Sequence, residues 1–131
     1  MAEGASTDAA NAFLAALFQG TAFALTDGWV KWHTGPPGPS ATANAAAETR
    51  RVQSFGKFGV DPTAGSIVND ANLPTLTSVA ATEVWTHWSY WDDETAGTFW
   101  FSGTLTGGSV TAGDDVTVLA GEMTVDVPVA A

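Results

Sequence analysis

A chain of 131 residues is long enough for one domain, 1–131, with a real core; having no Cys, it has neither disulfides nor thiolate metal sites to help it. Its net charge of −10 excludes nucleic acid as a partner, because phosphate binding rests on Lys and Arg. All four basic residues (Lys31, Arg50, Arg51, Lys57) precede position 58, and every charge after them is acidic.

The chain opens with a helix predicted over about 7–19. Ser6, Thr7 or Asp8 caps its start and Gly20 takes the C′ position. Ala10, Phe13, Leu14, Leu17 and Phe18 recur at helical spacing and make one apolar stripe. So small and Ala-rich a helix is marginal alone and must dock, either on its own sheet or on a neighbouring subunit. Phe13 and Leu17 are therefore core or packing candidates. The N-terminus lacks the basic region of a signal peptide, and no apolar run approaches the ~20 residues of a membrane span, so no membrane insertion is expected.

Gly28 to Thr34 reads as a strand. Gly35 to Ala47 holds Pro36, Pro37 and Pro39 and is predicted as an exposed Pro/Ala-rich loop, the kind of segment that carries binding on rigid β scaffolds. Glu48 to Phe58 is a second strand candidate, Ser66 to Asn69 a third, and Leu73 to Val79, with Pro74, suits an edge.

From Thr82 to Leu105 the chain is richest in aromatics: Trp85, Trp88, Trp91, Trp100, Tyr90, Phe99 and Phe101. Such residues at alternating positions fit a pleated surface. Val84, Thr86, Trp88 and Tyr90 are expected on one face, and Trp85, His87, Ser89 and Trp91 on the other. After a polar turn from Asp92 to Gly97, Phe99, Phe101, Gly103 and Leu105 form one stripe. Trp88, Tyr90, Phe99 and Phe101 are the leading core candidates, although exposed rings could also stack on sugars. Beyond the hairpin, Val116 and Val118 alternate, and a one-residue phase change to Met123, Val125 and Val127 suggests a β-bulge at Gly121-Glu122. The whole reads as all-β: a β-sandwich or jelly-roll of about seven to eight strands with one short N-terminal helix.

Catalytic signatures are weak. His33 and His87 lie beside Trp in predicted strands and read as structural. No G-x-S-x-G turn or phosphate-cradling Gly loop occurs. Asp92-Asp93-Glu94 and Asp114-Asp115 are oxygen-rich but lack the spacing of an EF-hand. No catalytic, cofactor or metal residue is assigned, and no enzyme activity is expected. The uneven charge instead suggests a contact between identical subunits in which Arg50, Arg51 and Lys57 meet the acidic half, with a trimer as the expected state.

Several stretches together resemble a family of short virion proteins of tailed bacteriophages, described as tail-fibre-like or minor tail proteins. They are Asp8 to Leu14, Val30 to Gly35, Arg51 to Gly56, Thr86 to Asp92, Phe101 to Leu105, Ala112 to Asp114 and Gly121 to Val125. The Pro/Ala-rich loop departs from the family's more polar one. The resemblance implies a virion structural subunit assembled in the host cytoplasm, a minor tail protein of the tail tip or fibre attachment. Its partners would be other virion proteins and copies of itself. A capsid decoration or head-fibre protein is the alternative, and a carbohydrate-binding module recognising a host surface glycan the second.

Overall fold

The computed structural model describes residues 3–130. Its elements follow in the order α1 (Thr7–Gln19), β1 (Trp29–His33), β2 (Val52–Gln53), β3 (Ser66–Val68), β4 (Glu83–Trp91), β5 (Phe99–Val110) and β6 (Thr124–Asp126). The fold is all-β with one N-terminal helix. A four-stranded sheet runs β2-β1-β4-β5, a two-stranded sheet pairs β3 with β6, and every pairing is antiparallel.

The long β4–β5 hairpin is the body of the larger sheet. Its turn is built by its own acids: Asp92 accepts from Thr98 N at 2.8 Å, Asp93 accepts from Ala96 N at 3.0 Å, and Gly97 takes φ 81°. Those hydrogen bonds hold the Asp93 carboxyl below its ordinary range. Across the hairpin Trp88 stands opposite Gly103, and β1 brings Trp32 opposite Trp88 from the other side. A Cβ at position 103 would collide with the Trp88 ring, so the missing side chain is what lets that indole lie flat against β5.

The expected alternation along β4 breaks once. A register shift between Trp85 and His87 moves Trp85 onto the face of Trp88, so both are buried in one cluster while Val84 is half exposed. Trp85 then stacks on Trp32, centroids 5.2 Å apart and rings nearly parallel. A second shift at Tyr90/Trp91 removes Phe99 from the predicted stripe. Phe99 pairs with Trp91 and packs on its ring, while Phe101 stays on the core side and Tyr90 packs beside it. Each large indole buried here contributes about 4–6 kcal/mol before entropy is subtracted.

Fewer strands form than the pattern predicts. Glu48 to Phe58 contributes only β2. Leu73 to Val79 is not a strand: Leu73, Leu76 and Val79 donate to Val118, Val116 and Asp114 carbonyls at three-residue intervals, and Pro74 has no N–H to give a continuous ladder. Gly121 sits in a tight turn at φ 87° and not in a bulge. The buried Asn69 holds it, its carbonyl accepting from Gly121 N at 2.8 Å and its side chain accepting from Met123 N at 2.9 Å. The smaller sheet forms the second layer, with Val125 packed against the core cluster.

The helix forms over the expected residues but docks on the sheet only at its start. Ser6 caps it by accepting from Ala9 N, Gly20 closes it in the left-handed conformation, and residues 4–6 run along β5, Ser6 N donating to Trp100 O. Only Ala9 of α1 is buried. Ala9, Phe13 and Leu17 lie one above another, and their exposure climbs from 1% through 42% to 76%. The helix is tied to β5 at its start and diverges from the body along its length, so Phe13 packs on Phe23 at the edge of the body and Leu17 stands exposed.

Replacing Trp88 with Ala is expected to cost about 3–5 kcal/mol in urea denaturation. Gly103→Ala should cost about 1–3 kcal/mol through overpacking. A Gly103→Ala variant as stable as the parent would contradict the packing described.

Candidate functional site

The two faces of the larger sheet do different work. On the face away from the Trp cluster, His33 and Ser89 are wholly buried. A carbonyl can only accept, so His33 Nδ1–H donates to Ala43 O at 3.0 Å, and Nε2 accepts from the Ser89 hydroxyl at 2.8 Å. The Ser89 oxygen in turn accepts from Trp91 Nε1 at 2.8 Å. A Ser–His pair of this geometry resembles an activated nucleophile, but its three polar atoms are already engaged and enclosed. The chain of bonds ties the 35–47 loop to β4. The loop is thus less open than its Pro content suggests: Pro37, Ala41 and Ala46 are buried, and Ala45 bridges to His33. Sequence reasoning missed this network because β1 and β4 stand 50 residues or more apart; only the shared His-and-Trp neighbourhoods hinted at it.

The basic residues proposed for a subunit contact are mostly engaged within the chain. Arg50 pairs with the buried Glu48 at 2.8 Å and donates to Thr77 O at 2.7 Å, so it closes a clasp between two loops. The guanidinium beside it holds the Glu48 carboxyl below its ordinary range. Arg51 lies 4.2 Å above the Trp91 ring and donates to Asp93 O and Ala96 O at 2.8 and 2.7 Å, stapling the hairpin turn. Both arginines join Lys31, Thr49, Glu94 and Thr95 around a cavity of about 350 Å³. Lys57 is not brought to it.

On the Trp88 face lies an apolar cleft of about 280 Å³ between α1, residues 23–25 and both sheets, with Phe23, Trp88, Trp100 and Phe101 in its wall. Phe23 joins helix to sheet, its ring 5.9 Å from Phe13 and 5.2 Å from Trp100. The outer part of α1 continues this surface into solvent: Leu14, Leu17 and Phe18 are 56–77% exposed. Among the described residues no three of His, Asp and Glu gather as a metal cage requires. The partly exposed indoles Trp29, Trp91 and Trp100 each donate Nε1 within the chain, to Asp27, Ser89 and Asp92.

Burial pushes the His33 pKa below its ordinary value, its neighbours Lys31 and His87 adding to the effect. The neutral ring is the one that fits, so the stability it supports is present above about pH 6.5, the unfolded value, and is lost as pH falls below it. Denaturation at pH 7.5 and 5.5 should show the parent losing stability on acidification and His33→Gln losing clearly less. An equal loss in both would contradict this assignment.

No curated protein matches the chain. A family model does, over residues 4–126, from the β5-edge segment through β6 and so across the whole folded body. The chain belongs to the family described as podophage GP4 fiber I protein gp80, a family of phage fibre proteins.

Proposed function

We propose that this protein is a structural subunit of a podophage virion, seated in a tail fibre or at the attachment of a fibre to the tail. It works by being built in beside other virion proteins and copies of itself, after synthesis in the host cytoplasm, and not by turning over a substrate. The family match across 4–126 carries this reading. The architecture suits it. Loops that would otherwise be loose are held by side chains: by Glu48–Arg50, by Arg51 and by His33–Ser89. The residue pair closest to a catalytic constellation is closed off and serves that same clamping.

Glycan recognition is a weaker reading. Trp32, Trp85 and Trp88 are core residues, Arg51 and Phe99 pack on the Trp91 ring, and Phe23 packs on Trp100.

Immunogold labelling of purified particles tests the proposal. Label at the tail or its fibres is the expected result. Label over the head would replace it with a capsid-decoration role, and particles without label would overturn it.

A further inference from the structure

We propose that the outward face of α1 is a contact between copies of this chain. Leu14, Leu17 and Phe18 are exposed by 56, 76 and 77%, and Phe13 and Phe23 beside them by 42 and 38%. A contiguous apolar patch of this kind marks an interaction surface, since scattered exposed residues do not line up along one helix. With about 150–250 Å² in each large ring and somewhat less in each Leu, these five side chains leave on the order of 500 Å² in water. Two such faces together reach about 1,000 Å², the lower limit for a specific interface. Three helices around an axis, each touching two others, would exceed it. The patch also runs on toward the C-terminal segment, where Ala10 and Phe13 share a cavity wall with Val127 and Val129.

Charge identifies the occupant. From Ala9 to Thr26 the sequence has no ionisable side chain, while the whole chain carries −10. Copies so charged repel one another over most of their surface and can meet closely only where charge is absent. A partner chosen by complementary charge would be drawn to the acidic half, not to this neutral helix. Arg50 and Arg51, the residues expected at a charge-complementary contact, are already bound to Glu48 and to the hairpin turn.

The inference deepens the virion reading and rests on it only for the need of several copies. Its test uses the purified full-length chain, so it separates from particle labelling: self-association without label defeats the virion role alone. In sedimentation equilibrium the parent is expected to associate in a concentration-dependent way. Leu17→Glu with Phe18→Glu should weaken association at least tenfold while leaving the far-ultraviolet circular dichroism unchanged, because both positions are more than three-quarters exposed. As the chain has no Cys, Leu17→Cys provides an independent readout. It should oxidise to a covalent pair, whereas Ala112→Cys, exposed beyond the far end of β5, should not. A parent that remains monomeric at high concentration overturns the proposal, as does an oligomer indifferent to both changes at Leu17.

Discussion

The fit of Trp88 against Gly103 is the constraint on which the larger sheet depends. One strand presents its largest side chain where its neighbour presents none, so the indole can lie across β5 while Trp32 meets it from β1. The Trp88 Nε1–H is satisfied by Thr104 O at 3.2 Å, and the ring lies nearly parallel to Phe101 with centroids 6.4 Å apart. With that position filled, one irregularity upstream suffices to bring Trp85 into the same layer and onto Trp32. The sheet is held by ring contacts between the β4–β5 hairpin and β1, which lies far from it in the sequence.

The opposite face is held by polar groups and achieves something different. His33, Ser89 and Trp91 form a buried relay of hydrogen bonds that fixes a Pro-rich loop, and Arg51 covers Trp91 at the outer end of the same strand. Buried polar groups of this sort are costly when left unpaired, so a fully paired set favours one arrangement of the loop over others. Arg50 and Arg51 follow the same logic, bound within the chain to Glu48 and to the hairpin turn.

What the sequence made legible was local. Ser6 and Gly20 mark the helix ends because caps are chemistry of adjacent residues, and Asp92 to Gly97 reads as a turn for the same reason. The hairpin itself was evident from its aromatics. What stayed hidden required knowledge of partners distant in the chain. The shift at Trp85 depends on Trp32 lying opposite, and the role of Arg51 on a Trp 40 residues later. The stripe on α1 announced an amphipathic helix without saying what would cover it; the β5 edge anchors only its first turn. Pro36, Pro37 and Pro39 signalled irregular backbone, but not that Ala41 and Ala46 would be pinned beneath it.

An aromatic sheet with its loops tied down is thus joined to a helix that leaves the body with its outer apolar residues uncovered. A cryo-electron microscopy map of purified particles, at a resolution that shows helices, tests this union most directly. Several copies related by symmetry are expected at the tail fibres, each with an intact β2-β1-β4-β5 sheet and with its α1 packed against α1 of a neighbour. Copies present singly, or with α1 facing solvent on every side, would contradict it.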